Sequence, residues 1–147
     1  MVAQTLKLLK KTVKENVSEN IFTEKELNEL IAEESDRGLV KKILELLQDS
    51  KAEEIVLIDV RGSSNLADYM FICEGRSQLQ CRGIAENIVF HLKHQGEIHL
   101  GIEGELEGNW VLLDYGNIIL HVFHPEIRKY YNLEELYAPH QVKDGTN

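Results

Sequence analysis

Hydrophobic residues along the chain follow two different periods, and these periods predict the order of helices and strands. Apolar residues spaced three and four apart predict one helix over Leu39–Leu47 and a longer one over Cys81–Leu92. Segments rich in β-branched residues predict five strands, EEIVLIDV, DYMFICE, EIHLGIE, NWVLLDYG and IILHVFH. Pro125 suits the first turn of a closing helix. This order predicts an α/β (α+β) fold, a mixed five-stranded sheet with packed helices.

The first 36 residues differ in composition from the rest and are expected to form a helical N-terminal extension. Met1–Lys14 carries four lysines and no acids, whereas Glu15–Asp36 carries eight acids. Thr23 and Glu26 have the spacing of a capping box, which begins a helix. The arm is expected to be two short amphipathic helices or to be partly mobile. The domain proper is expected at 37–140, followed by a tail at 141–147.

The charge of the chain narrows the range of partners. Its formal net charge is −9, and nucleic-acid binding rests largely on lysine and arginine neutralising phosphates. Direct binding of RNA or DNA is therefore not expected as the main activity. The same charge favours a basic protein partner, although an acidic surface also serves solubility alone.

Compartment and redox state follow from two further features. No apolar run approaches the ~20 residues that cross a bilayer, and the N-terminus lacks the apolar core of a secretory signal. Cys73 and Cys81 occupy apolar positions, where a free cysteine behaves as a small hydrophobe. A cytoplasmic protein without a disulfide, and without contact to a membrane, is expected.

Residue types that support catalysis occur without the partners they need. The segment 62–64, Gly-Ser-Ser, followed by Asp68 has a superficial likeness to a nucleotidyl-transfer site. Such chemistry needs carboxylates that converge on magnesium, but Met70 stands where the second one is expected. Two histidine pairs lack either a shared strand face or a third zinc ligand: His91 with His94, and His121 with His124. No catalytic residue, metal or cofactor is expected.

The stretch GIEGELEGNWVLLDYG carries a more informative signal. Three glutamates lie between glycines just before the only tryptophan: Glu103, Glu105 and Glu107. Strand alternation gives one face with Trp110, Leu112 and Asp114, and another with Val111, Leu113 and Tyr115. If part of one face is open, it offers anchors rimmed by carboxylates, as in a binding hot spot for a basic protein. The alternative is that Trp110 and Tyr115 are ordinary sheet residues.

The spaced elements KAEEIVLIDV, ADYMFICEGRS, GIAENIV, IEGELEGNWVLLDYG and ILHVFHPEIRKYYNLEELY resemble the ribosomal silencing factor family, also called Iojap-like. The resemblance covers roughly residues 39–137. It implies a nucleotidyltransferase-like topology without the catalytic carboxylates. It also implies binding to the large ribosomal subunit through ribosomal protein fourteen, which sterically blocks joining of the small subunit and represses translation. Free members of the family are commonly homodimers.

Matching motif positions assigns residues to the partner-binding surface. These residues are Trp110, Leu112, Asp114, Tyr115, Asp68 and Tyr69, and the residue pattern adds the three glutamates above. Two other functions stay open at this point. A divergent nucleotidyltransferase-like enzyme would bind a nucleoside triphosphate with magnesium, and a homodimeric adaptor would use its apolar sheet edge for self-association.

Overall fold

A computed structural model describes residues 8–11 and 22–137, which build a six-stranded mixed sheet with helices on both sides. The strands are β1 (Leu8–Lys11), β2 (Glu53–Asp59), β3 (Tyr69–Glu74), β4 (Gly101–Glu103), β5 (Trp110–Asp114) and β6 (Ile118–Phe123). The helices are α1 (Glu24–Leu30), α2 (Glu34–Asp49), α3 (Gln78–His94), α4 (Pro125–Tyr131) and α5 (Leu133–Tyr137). The five predicted strands and the mixed α/β class are confirmed.

The sheet runs in the order β1-β2-β3-β6-β5-β4, and only β3 and β6 run parallel. The predicted hairpin between β5 and β6 is present. Tyr115 N–H donates to the Ile118 carbonyl at 2.9 Å, and Asp114 Oδ1 accepts from Gly116 N–H at 2.8 Å. Gly116 has φ +90°, which a glycine adopts without steric cost. The hairpin fixes which residues of β5 and β6 share a face.

Apolar side chains fill the spaces on both faces of the sheet, as expected for covered central strands. The larger core lies between the sheet and helices α1–α3; its most buried members include Phe22, Leu47, Leu57, Ile88 and Leu120. A smaller core lies on the opposite face, against α4 and α5; it includes Val56, Ile58, Met70, Ile72 and Phe123. Cys73 and Cys81 are buried free thiols, as predicted.

The N-terminal arm departs in part from its prediction. Thr23 and Glu26 form the expected reciprocal capping box, and α1 packs into the larger core. Leu8–Lys11, in contrast, is a strand paired antiparallel with β2 rather than a helix. The edge of β2 presents unpaired backbone N–H and C=O groups. By pairing with them, a segment of four residues forms more backbone hydrogen bonds than it would in an isolated helical turn. The division of the chain at residue 36 stays a prediction.

The rest of the arm (residues 1–7 and 12–21), the end of the predicted domain at 138–140 and the predicted tail at 141–147 lie outside the described residues. Among the helices that are described, none combines the length and apolarity needed to cross a membrane.

Candidate protein-binding surface

Strand β5 divides its side chains between the two faces of the sheet. Val111 and Leu113 are fully buried in the larger core, under α2 and α3. Trp110 and Leu112 are half-buried on the opposite side, where they pack against the smaller core. We call this side, which carries Trp110, Leu112 and Asp114, the tryptophan face. The predicted alternation is confirmed, and the less covered face is the one with the tryptophan.

The indole of Trp110 is held in place by three neighbours. Its Nε1–H donates to Nδ1 of His121 at 2.9 Å. Its ring stacks on Phe123 with centroids 4.8 Å apart, and Tyr131 of α4 lies at 4.8 Å as well. Burial lowers the pKa of His121 to about 4, so this imidazole is neutral near pH 7. Because Nδ1 accepts the bond, the ring proton resides on Nε2.

Among the three glutamates that precede Trp110, Glu103 borders the tryptophan face. Glu103 pairs with Leu112 across β4 and β5, so both side chains point to this face, and Glu103 is exposed. Strand β4 lies at the edge of the sheet. Glu107 is exposed on the loop that follows, while Glu105 is half-buried. Glu103 thus lies on the open edge of the sheet, on the face that carries Trp110, whereas one carboxylate oxygen of Glu105 is buried. A partner contact by the three glutamates stays a prediction.

The loop 104–109 is fixed by its contacts with α3. The Gln78 side chain donates to Asn109 Oδ1 at 2.7 Å, and Arg82 donates to the Leu106 carbonyl at 3.1 Å. Gly104 has φ +80°, and a Cβ there would lie 2.0 Å from the Trp110 carbonyl oxygen. Only glycine fits at this position, where the chain turns back towards Trp110.

Two predicted site residues, Tyr69 and Tyr115, lie on the opposite face of the sheet from Trp110, and a third, Asp68, precedes β3. Tyr115 packs against the larger core, and burial, followed by the charge of Glu97, raises its pKa to about 12. Tyr69 is also buried on that side, and its hydroxyl accepts from Ala32 N–H at 3.3 Å. Asp68 is half-buried, and its N–H donates to the Asn117 carbonyl at 2.8 Å. A direct partner contact by these three residues stays a prediction.

Comparison with known proteins shows which family the chain belongs to. A family model described as "Ribosomal silencing factor during starvation" matches residues 32–147. The chain belongs to the ribosomal silencing factor family. It is 37% identical over 104 residues to a ribosomal silencing factor of Halalkalibacterium halodurans, which covers 71% of this chain and 89% of that protein. The resemblance inferred from the motifs is confirmed.

Two further relatives extend this result. A crystal structure of a Chromobacterium violaceum protein superimposes with a TM-score of 0.67 at 32% identity, covering 69% of this chain and 85% of that one. The mouse protein named "Mitochondrial assembly of ribosomal large subunit protein 1" is 28% identical over 108 residues, which is 71% of this chain and 47% of that protein. The fold is therefore shared within the silencing factor family.

In this family member, the segment that resembles a nucleotidyl-transfer site is held by an ion pair. Asp59 is 2% exposed and accepts from the backbone N–H of Arg61 at 3.0 Å and from its guanidinium at 2.9 and 2.7 Å. The hydrogen bond to Asp59 raises the pKa of Arg61 despite opposing desolvation. The guanidinium also lies 5.3 Å from the ring centroid of Tyr69. Within the described part of the chain, no three His, Cys, Asp or Glu side chains are grouped as metal ligands.

The motif PEIRKYYNLEELY has a structural centre that the sequence analysis missed. Arg128 is 6% exposed and donates to the Glu54 carbonyl at 2.7 Å and to Glu74 at 3.1 Å. It also donates twice to Glu134, at 3.0 and 2.9 Å. Arg128 thereby ties α4 and α5 to β2 and β3. The spacing of Arg128 and Glu134 is the only signal for this in the sequence, and it does not reveal the contacts with the sheet.

Proposed function

We propose that this protein binds the large ribosomal subunit through ribosomal protein fourteen and sterically prevents joining of the small subunit, which represses translation. Membership of the ribosomal silencing factor family supports this proposal. The mouse relative's name, which refers to assembly of the large ribosomal subunit, supports the choice of subunit. The tryptophan face supports the mode of binding.

The observation that carries the proposal is the half-buried Trp110, held by His121 beside the exposed Glu103 edge. A rigid aromatic side chain loses little conformational entropy when a partner covers it. Carboxylates at the rim attract a basic surface and orient its approach. The net charge of −9 acts in the same direction and disfavours RNA as the main contact.

Within this proposal, the nine candidate residues take different roles. Direct contact is assigned to Trp110, Leu112, Asp114, Glu103, Glu105 and Glu107. Tyr69 and Tyr115 act by holding the sheet that presents these six residues, because both pack against the larger core on the opposite face. For Asp68, which precedes β3, direct contact stays a prediction.

Pelleting through a sucrose cushion with purified large subunits tests the binding step. The protein is expected to pellet with large subunits, and its addition is expected to reduce joining of small subunits in a sedimentation profile. Absence of binding, or binding without any effect on joining, contradicts the proposal. Small subunits alone serve as the negative control.

We also propose that the protein acts as a binding protein rather than an enzyme, in the cytoplasm, and that the free form is a homodimer. The Asp59–Arg61 ion pair supports the first point, because Arg61 neutralises the buried carboxylate of Asp59 just before the nucleotidyltransferase-like segment. Calorimetry with nucleoside triphosphates and magnesium is expected to give no binding heat, and measurable binding would contradict the first point.

The proposed homodimer has its own test. Sedimentation equilibrium is expected to give twice the 16.9 kDa mass of the chain, and the mass of a monomer would contradict the dimer.

A further inference from the structure

The aromatic row on the tryptophan face continues from Trp110 onto α4 and ends in solvent. Phe123 is buried, Trp110 is half-buried, Tyr131 is 50% exposed and Tyr130 is 81% exposed. Successive ring centroids are 4.8, 4.8 and 5.0 Å apart. The row therefore connects the sheet core with two exposed tyrosines through ring contacts alone.

Helix α4 presents these tyrosines from a fixed position. Ile127, one turn before Tyr131, packs on the smaller core, and the buried Arg128 joins the helix to β2, β3 and α5. The helix ends at Asn132, whose φ of +46° turns the chain into α5. Because the backbone is anchored on both sides of the tyrosine pair, a partner would have to order only side chains with few rotatable bonds.

Exposed carboxylates border this row. Glu126 lies one helical turn before Tyr130, on the same side of α4, and both side chains are exposed. Glu103 is exposed on the β4 edge of the same sheet face. The neighbouring Lys129 lines a separate groove of about 500 Å³, together with Arg128, Glu54, Glu74 and Glu134.

We infer that α4 extends the partner-binding surface: the rings of Tyr130 and Tyr131 receive an arginine or lysine side chain of the basic protein partner, and Glu126 pairs with its charge. Guanidinium and ammonium groups bind over aromatic faces, and a carboxylate beside them strengthens the contact. A second copy of this chain is a poorer occupant, because it would bring the same carboxylates together. This inference rests on the proposed function.

Equilibrium binding to purified large subunits tests the inference with four variants. Tyr130→Ala and Tyr131→Leu remove the aromatic faces, and each is expected to lower affinity roughly tenfold. Tyr131→Phe keeps the ring and is expected to bind within about twofold of the original chain. Phe90→Ala is the matched control, since Phe90 is a 57% exposed ring on α3, on the opposite side of the sheet. Urea unfolding verifies that each variant is folded. The emission of Trp110, the only tryptophan, reports separately whether the loss of the Tyr131 ring, which contacts the indole, reorients it.

The outcomes separate this inference from the proposed function. If the original chain binds and the two ring-removing variants bind equally well, α4 is not part of the surface and the inference is overturned. If those variants alter the mass of the free protein but not subunit binding, the rings contact a second copy, which also overturns it. If the original chain itself does not bind, the proposed function fails and the inference falls with it.

Discussion

The indole N–H of Trp110 donates to Nδ1 of His121 across the β5–β6 pair, at 2.9 Å. In the sheet register, His121 is flanked by Leu112 on β5 and Ile72 on β3, neither of which carries charge. His121 is 5% exposed, so water has little access to Nδ1, and the bond from Trp110 supplies its hydrogen-bond partner. The bond thereby couples the orientation of the candidate anchor to the protonation state of a buried histidine.

This coupling predicts a dependence of stability on pH. Burial lowers the pKa of His121 to about 4, whereas the pKa of a histidine in an unfolded chain is about 6.5. Between these values the unfolded chain binds more protons, so the contribution is complete above pH ~6.5 and is lost as pH falls towards 4. From pH 7 to pH 5 the loss is about 2 kcal/mol in the free energy of unfolding.

Urea unfolding of the original chain and of His121→Gln at both pH values isolates this contribution, because the other titrating groups are shared. The original chain is expected to lose about 2 kcal/mol more than the variant. An equal loss in the two proteins contradicts the assignment.

Replacing the acceptor itself gives a second prediction. His121→Leu leaves the indole N–H of Trp110 half-buried without its acceptor, which is expected to cost about 1–3 kcal/mol. Trp110 is the only tryptophan, so its emission reports any reorientation directly. His121→Gln, which retains an acceptor, is the comparison. Unchanged emission and stability in the leucine variant would show that the hydrogen bond does not position the ring.

Arg128 predicts a large effect on stability. Arg128→Met keeps much of the side-chain volume but leaves Glu74 and Glu134 without their cation, at an expected cost of about 3–5 kcal/mol. Lys41→Met is the control, because its ion pair with Glu24 is solvent-exposed and such pairs contribute about 0–1 kcal/mol. Chemical denaturation of both variants is the measurement. Similar losses in the two variants contradict a special role for Arg128.

A side chain at Gly104 is expected to destabilise the protein by a steric clash, in addition to the strain of its left-handed backbone conformation. Gly104→Ala places a Cβ 2.0 Å from the Trp110 carbonyl oxygen at φ +80°, whereas Gly62→Ala at φ +86° meets no atom within 4 Å. The Gly62 variant is expected to lose about 1 kcal/mol from left-handed strain. The Gly104 variant is expected to lose about 1–3 kcal/mol more because the backbone must move. Equal melting temperatures for both would contradict the tight turn.

Local patterns predicted most of the sheet. The alternation of Trp110 and Val111 along β5 and the capping box at Thr23 are short-range features, and both are confirmed by the structure. Leu8–Lys11 is predicted to be helical but forms a strand, because its conformation depends on the free edge of β2, with which it pairs. The local sequence of the segment carries no information about that edge. That edge exists only after the sheet has formed.

The candidate site was predictable to a lesser extent. The sequence pattern singles out Trp110 and the glutamates before it. However, the alternation of side chains along a strand does not show which face of β5 is exposed. Which face is less covered depends on where α2, α3 and α4 pack, and the contacts of Arg128 that place α4 join residues 54 positions or more apart in the chain. The acceptor role of His121 also depends on the pairing of two strands.

The central claim, that the tryptophan face binds the large subunit and blocks joining, is tested most directly by one comparison. Trp110→Ala and the matched variant Tyr115→Phe are assayed for affinity to purified large subunits and for inhibition of subunit joining. Trp110→Ala is expected to weaken binding by about 2 kcal/mol or more and to lose inhibition to the same degree. Tyr115→Phe, on the opposite face, is expected to act like the original chain. Full binding and inhibition by folded Trp110→Ala would contradict the account.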